Sequence, residues 1–379
     1  MRRAPLAVVV ALLALAVAVP FSSAETHVAE PQIAAASWYL VGEDGSVLAR
    51  GNASRQRAVA SITKLMTAAV ALERARLTDV VRVSPSAAGI GESTVFLRAG
   101  EELTVADLIR ATLIPSANDA AQALALHVGA GSTARFVGLM NAKARALGLT
   151  DTNFENPHGL DESGHMSSAR DATALVRYAL GVPFIRDALS RSTFSLPDGT
   201  VFPTTDDLLV SWAPLVGGKT GHTRGAGWSQ AAAAERAGIT VYGTVLGSNT
   251  RGTRNEALRE LLEYGLDQYR RVQVIDSSRV YFSAETGYGQ PDVDLVASRP
   301  VVRALRRGRP LVERVIAPTS LLLPVADGQQ VGRVEVYDGN RLVASSNLVT
   351  AEAVPDAGLF EKARWYATQT ASNLWGIVS

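Results

Sequence analysis

Apolar positions recur along this chain with two different periods. From about Ala34, the stretch AASWYLVGEDGSVLAR alternates apolar and polar residues on either side of Asp44-Gly45, which predicts a β-hairpin closed by a tight turn. The run that begins at Ser61 changes period: Ile62, Leu65, Met66, Ala69 and Val70 fall along one side of a helix. Thr104 with Asp107, ahead of LIRATL, predicts a capped helix start, and NDAAQALALHVGAG reads as a helix stopped by its glycines. Between these two helices IPSAND forms a short loop that carries Ser116 and Asn118. Helical spacing returns up to Gly148 and again from Ala169 to Leu180. PLVGGKTGHT, GWSQAAAAE and ITVYGTVLGS, separated by glycine-rich turns, read as three strands, and TRNEALRELLEYGLDQYRR as an amphipathic helix. Strands at both ends with helices between them predict an α+β domain: an antiparallel sheet whose terminal strands are neighbours, covered by helices.

From about Val272 the pattern becomes short and β-rich (VQVI, VYFS, RVIAP, SLLLPV, GRVEVYDGNRLVASSNLV), punctuated by Asp327-Gly328 and Asp338-Gly339. This predicts a small all-β domain over 272–356, separate from the first domain over 30–271. The tail, 357–379, places Leu359, Ala363, Tyr366, Leu374 and Ile377 at roughly helical spacing, with Phe360, Trp365 and Trp375 beside them. It is expected to be an amphipathic helix suited to a membrane surface.

Composition fixes the compartment and removes some chemistries. The 379 residues are 47% hydrophobic and 19% charged, enough for a full core in two or three domains. Arg2 and Arg3, the apolar run from Leu6 to Val19, Pro20, and Ser22-Ser23-Ala24 together have the form of a secretory leader, with a cut expected after Ala24. Loss of the two arginines turns the formal charge of +1 into −1, so nothing points to a nucleic-acid partner. There is no cysteine, which excludes disulfides and a thiol nucleophile. The five histidines show no metal-binding pair, and no metal or other cofactor is expected.

Lysine is scarce. Of 37 basic residues only Lys64, Lys143, Lys219 and Lys362 are lysines. Where this chain needs only positive charge it uses arginine, so a lysine can mark an amine that must be able to lose its proton. On a helix Ser61 and Lys64 would lie one turn apart, where a neutral amine can accept the proton of a serine hydroxyl and make it a nucleophile. Desolvation and a neighbouring cation keep such an amine neutral. Lys219-Thr220-Gly221, in a strand, offers that cation, a hydroxyl donor, and a residue without a side chain that lets a ligand approach the backbone. Ser116 offers a proton relay, and Asn118 an amide that can orient a peptide carbonyl.

The three elements S-x-x-K, S-x-N and K-T-G, in this order, with ASITKLMTA, STVFLRAGEELTVADLI, PSANDAA, NPHGLD, SSARD and LLLPVADGQQVG, resemble the low-molecular-mass penicillin-binding D-alanyl-D-alanine carboxypeptidases, the S11 serine peptidases. The likeness covers about residues 34–356. It implies a penicillin-binding, β-lactamase-like transpeptidase domain followed by a small β-domain and a membrane-binding tail. It also implies an exported enzyme, periplasmic or otherwise outside the cytoplasm, that acts on peptidoglycan stem peptides and is acylated by β-lactams. By the resemblance Ser61 is the nucleophile, Lys64 its base, and Ser116 the relay to the leaving amine. Asn118, Lys219, Thr220 and Gly221 would bind substrate, and the backbone N–H groups of Ser61 and His222 would form the oxyanion hole. His158 and Asp171 would brace the site as a buried polar pair.

The sequence departs from the family before Leu208-Leu209, where Thr204-Thr205-Asp206-Asp207 replaces the usual asparagines, and at Val216, where an aspartate is usual. Two other readings stay open. A class A β-lactamase shares fold and nucleophile, but no E-x-x-L-N pattern follows Ser116. An inactive homologue that only binds cell-wall peptides would not need the intact reactive set.

Overall fold

The computed structural model describes residues 12–19 and 31–378. It divides into two compact units, with the boundary between Gln268 and Tyr269.

The larger unit is built on a five-stranded antiparallel sheet. Its strands are β1 (Ser37–Gly42), β2 (Val47–Gly51), β3 (Leu215–Thr223), β4 (Gly227–Arg236) and β5 (Ile239–Ser248), in the order β2-β1-β5-β4-β3. The pairing of β1 with β5, residues 37–42 against 241–246, joins the two ends of the unit as the alternating patterns predict. Gly45, at φ +80°, closes the hairpin between β1 and β2.

Helices cover both faces of the sheet. On one face α6 (Arg251–Asp267) lies so close that a Cβ on Gly243 would come 3.0 Å from Leu262, and one on Gly265 3.0 Å from Leu40. On the other, α5 (Ala169–Leu180) donates the Thr173 hydroxyl to Thr244 Oγ1 at 2.8 Å. Gly243 and Thr244 are consecutive residues of one strand, so these contacts fall on opposite faces. Four alanines, Ala231 to Ala234, let β4 sit buried between the two helical layers.

The main core lies on the α5 side, among α1 (Lys64–Arg74), α2 (Val105–Leu113), α3 (Asn118–Val128) and α4 (Thr133–Ala146). Its apolar residues include Leu65, Met66, Ile109, Leu124 and Phe136, all essentially inaccessible. The helix starts are specified locally: Thr104, Ser132, Ser168 and Thr250 each accept a backbone N–H three residues ahead.

The last helix of the unit ends earlier than its apolar period predicts. α6 stops at Asp267, and Tyr269–Ile275 is instead a strand paired with Val301–Arg306. The alternating residues Val272 and Val274 serve that ladder better than a further helical turn, and Val274 joins the β-domain core.

The second unit is all-β apart from its tail. Leu311–Pro318, Gln330–Asp338, Arg341–Thr350, Val293–Ala297 and Val280–Thr286 follow one another across its principal sheet. Leu295, Val334, Val336 and Leu348 fill its separate core. Of the expected leader only Leu12–Val19 is described. It forms an edge strand antiparallel to Leu311–Pro318, where an apolar β-prone run satisfies an otherwise open ladder. The expected cut after Ala24 lies outside the described residues. Leu359–Val378 forms the expected helix, and its first turns are anchored by Trp365 and Tyr366, whose rings meet Tyr288 at 5.6 and 6.0 Å. Leu359 and Phe360 remain exposed.

Candidate active site

Ser61 does not stand on the α-helix, as the apolar period predicts, but on a 3-10 turn, Ala60–Thr63, that leads into it; Lys64 is the first residue of α1. At three residues per turn, side chains i and i+3 eclipse. The tighter winding brings Lys64 Nζ to 2.8 Å from Ser61 Oγ. Ser61 is partly open to solvent and Lys64 fully buried, so the hydroxyl faces the cleft and the amine sits behind it.

The surroundings of Nζ accommodate a neutral amine. It donates to Ser116 O at 2.6 Å and Asn118 Oδ1 at 2.5 Å, and lies 3.2 Å from Ser116 Oγ. A neutral amine has two N–H donors and one lone pair. The two strong acceptors take the donors and leave the lone pair for the Ser61 hydroxyl proton. Burial, then the charge of Lys219, hold the Lys64 amine well below the ordinary lysine range, against the weaker opposing effect of Asp119 and Glu92.

Ser116 reaches this point by a strained backbone, with φ at +67°. The residues around it fix the loop. Asn118 N donates to Ser93 O at 2.7 Å and Asn118 Nδ2 to Gly91 O at 2.9 Å. Asp119, buried at the start of α3, accepts the N–H groups of Val95 and Leu97, so the glycine-flanked segment beside the cleft is tied down at one carboxylate. PSAND displays Asp119 in the sequence, but its partners lie more than 20 residues away and no local pattern announces them.

The edge strand β3 brings the third element. A Cβ on Gly221 would lie 2.8 Å from Val59 O and 3.2 Å from Ser61 N, so only glycine lets the strand close on the nucleophile's backbone. Lys219 and Thr220 are buried on the same strand. Lys219 Nζ donates to Thr220 O at 3.1 Å. Burial pushes Lys219 down to about 7, with Arg254 assisting and Asp206 opposing. His222 is exposed, its ring stacked on Trp228 at 4.0 Å, so its imidazole is turned to packing while its backbone follows Gly221 beside Ser61.

The NPHGLD loop supports the nucleophile from behind. Gly159, at φ +90°, approaches so closely that a Cβ there would be 2.0 Å from Ala60 O. Asn156 Oδ1 accepts the Gly159 N–H at 2.7 Å, and Asp161 accepts the Thr223 hydroxyl at 2.6 Å, linking loop and strand. His158 is buried in this loop and depressed to about 3 by desolvation and the Lys64 charge, so it is neutral at physiological pH.

The expected pairing of His158 with Asp171 does not form. Asp171 instead accepts Asp151 N at 2.7 Å and the Thr152 hydroxyl at 2.8 Å, bracing the turn ahead of the loop. His165 bonds the 3-10 turn, its Nε2 lying 2.7 Å from Thr63 Oγ1. Its spacing from Thr63, about a hundred residues, gave no signal in the sequence.

Arg254 is a second residue that the sequence conceals. It sits in the charged pattern of α6 and reads as a solvated face, yet it is fully buried, its Nη2 3.4 Å from Asp207 Oδ2, below the ring of Trp228. The departing segment before Leu208 contacts the site directly: Thr205 Oγ1 lies 2.7 Å from Thr220 Oγ1.

A hydroxyl backed by a desolvated amine, beside a cationic edge strand of a helix-covered antiparallel sheet, defines a serine acyl-transfer enzyme of the penicillin-binding kind. Within that class, the chain belongs to the D-alanyl-D-alanine carboxypeptidase family, whose model matches residues 24–250. Residues 269–356 match the penicillin-binding protein 5 C-terminal domain. The chain is 34% identical to D-alanyl-D-alanine carboxypeptidase DacD of Salmonella typhimurium, over 88% of this chain and 89% of the relative. It is 30% identical to DacF of Bacillus subtilis, over 86% and 87% respectively. Among solved structures it is similar to penicillin-binding protein 5 from Haemophilus influenzae, with TM-score 0.63, 28% identity, and coverage of 87% of this chain and 100% of that one. The Streptomyces K15 DD-transpeptidase aligns with TM-score 0.59 and 31% identity, over 63% of this chain and 100% of its own.

Gly159→Ala is expected to displace the Ala60–Ser61 backbone. Acylation by a fluorescent penicillin should slow by about a hundred-fold, the scale of a 1 Å misplacement of a reacting group, while the folded protein persists. Stopped-flow labelling checks this, and a wild-type rate would show that the close approach does not position Ser61.

Proposed function

We propose that this protein is a serine-type D-alanyl-D-alanine carboxypeptidase that removes the terminal D-alanine from peptidoglycan stem peptides through an acyl-enzyme on Ser61. The observation that carries the reading is the buried Lys64 amine, 2.8 Å from Ser61 Oγ with its other close contacts being acceptors.

In the acylation step Ser61 Oγ attacks the carbonyl carbon of the last peptide bond as its proton passes to the Lys64 lone pair. The tetrahedral oxyanion takes hydrogen bonds from the backbone N–H groups of Ser61 and His222, donors of a kind worth about 3 kcal/mol of barrier each. The proton then moves from Lys64 through the Ser116 hydroxyl, 3.2 Å away, to the leaving nitrogen, and D-alanine departs as the C–N bond breaks. Water hydrolyses the ester and restores the Ser61 hydroxyl. Asn118 orients the substrate's peptide group, and Gly221 lets the substrate lie against β3. Lys219 and Thr220 receive the terminal carboxylate, and Arg254 adds a buried positive charge to the same wall. A β-lactam follows the same first step, but its leaving nitrogen remains tethered to the acyl group, so the adduct persists.

The chain's organisation supports an exported enzyme held on the outer face of a membrane. On this reading residues 1–24 are a leader removed on export, 30–271 the catalytic domain, 272–356 the β-domain, and 357–379 a peripheral anchor. No helix among the described residues is long and apolar enough to cross a membrane. The exposed Leu359 and Phe360 at the start of the last helix are suited to an interface.

Brief exposure to a penicillin followed by peptide mass spectrometry should place one adduct on Ser61. Lys64→Arg, which cannot give up a proton and so cannot act as a base, should reduce acylation and D-alanine release from a pentapeptide by about 10²–10⁴-fold. An adduct elsewhere, or near-normal rates in Lys64→Arg, would overturn the mechanism. The protein ending at Pro355 should stay soluble while the full mature chain sediments with lipid vesicles; equal solubility would count against the anchor.

A further inference from the structure

The strand that carries His222 is held in its sheet on one side only. Among the described residues β3 pairs with β4 alone, and its free margin lies against the nucleophile's turn at Gly221. His222 pairs with Trp228 and Thr223 with Gly227, the last pair before the chain turns through residues 224–226. A strand end with one partner frays unless something else ties it. Here the tie is Asp161, which reaches Thr223 from the NPHGLD loop 62 residues earlier. Its Oδ1 accepts the Thr223 hydroxyl at 2.6 Å and its Oδ2 the Gly225 N–H at 2.8 Å. Thr223 Oγ1 in turn accepts the Ala226 N–H at 3.1 Å, so the whole turn hangs from one carboxylate. Gly225 permits the contact: a Cβ there would stand 3.0 Å from both Asp161 oxygens.

The other end of the loop is fixed to the nucleophile. The Thr67 hydroxyl, on α1 just beyond Lys64, donates to Pro157 O at 2.5 Å. Gly159, held by Asn156, packs so tightly that a Cβ on it would come 3.0 Å from Ser61 N as well as 2.0 Å from Ala60 O. Asn156 Nδ2 donates to Leu160 O at 3.0 Å, which closes the loop just before Asp161. One short segment thus reaches from the backbone beside the Ser61 N–H to the residue that follows His222. Asp161 itself is exposed, so its side chain fills no part of the core. Its hydrogen bonds are what it contributes.

We propose that Asp161 is a positioning residue for the oxyanion hole: through Thr223 and Gly225 it fixes the end of β3, and with it the His222 N–H, relative to the Ser61 N–H. This rests on the reading of those two N–H groups as the oxyanion donors. Such donors act when both stand about 2.7–3.1 Å from the place the oxyanion will occupy, and they need no reorganisation if already held there. Release of the strand end leaves Lys219 and Thr220 in their ladder with β4, further from the turn. Ground-state binding therefore survives, and the loss falls on the rate of acylation.

The test uses the full mature chain and stopped-flow reaction with a fluorescent penicillin, which separates the dissociation constant of the initial complex from the rate constant of acylation. Asp161→Ala should slow acylation by about ten- to a hundred-fold, with the dissociation constant and thermal midpoint near wild type. Thr223→Val should do the same, and Thr223→Ser should recover most of that loss. The double variant, Asp161→Ala with Thr223→Val, should be no slower than either alone, because the two side chains act through one contact. The specific readout is an acyl-D-alanyl ester compared with its thiono analogue, whose C=S accepts hydrogen bonds more weakly. The preference for the oxygen compound should shrink in Asp161→Ala. If that variant does not fold, Asp161→Asn, which keeps one acceptor oxygen, should show the same shrinkage in smaller degree. A wild-type acylation rate, or a slower one with an unchanged preference for oxygen, would overturn the inference. An adduct on a residue other than Ser61 would instead overturn the reading of the site.

Discussion

The proposed acyl-transfer mechanism depends on a single desolvated amine. Lys64 is the first residue of its helix, inaccessible to water, and surrounded so that a proton on Nζ is disfavoured. Much of the surrounding structure maintains that condition. The 3-10 turn sets the distance to Ser61, Ser116 and Asn118 occupy the two donors, and the neighbouring edge strand supplies the opposing cation. Strain at Ala60 and Ser116, both at positive φ, is the local cost of bringing two hydroxyls to one amine. The close approaches of Gly159 and Gly221 to the Val59–Ser61 backbone hold the nucleophile from two sides.

The edge-strand cation has the opposite requirement. Lys219 is as buried as Lys64, and in the proposed mechanism it must keep its proton to receive a carboxylate; the difference between them lies in their neighbours. Burial and the charge of Lys219 depress Lys64 against the weaker effect of Asp119 and Glu92, whereas the charge of Asp206 works to raise Lys219 against its burial. In the proposed mechanism the two lysines of one cleft take different protonation states, one as base and one as anchor, as an unequal distribution of charge around them allows. Arginine would suit neither task equally: it cannot act as the base, and its larger fork would not replace Lys219 on a strand packed this closely.

Local pattern revealed much of this arrangement. The i, i+3 spacing of Ser61 and Lys64, the capping residues at helix starts, and the alternation in β1 and β3 to β5 are all properties of short segments, and each appears in the structure as the sequence implies. What stayed hidden depends on partners far along the chain. Arg254 looks like one more charge on an amphipathic helix until α6 docks against the sheet. His165 bonds a threonine about a hundred positions earlier, and Asp171 turns out to serve Asp151 and Thr152 rather than His158. The helix expected to run to Arg271 yields at Asp267 because the following residues, already part of the β-unit, pair with a strand of that same unit. Pairing across long sequence separations, not propensity, decided each of these cases.

Because the chain contains only four lysines, their side-chain amines can be followed individually. An NMR titration of protein labelled at lysine Cε and Nζ, assigned by substitution, reads the charge of Lys64 directly. A Lys64 signal that titrates well below 10.5, distinct from those of the surface residues Lys143 and Lys362, is the predicted result. A Lys64 amine that stays protonated up to the ordinary lysine range in the folded free enzyme would contradict it.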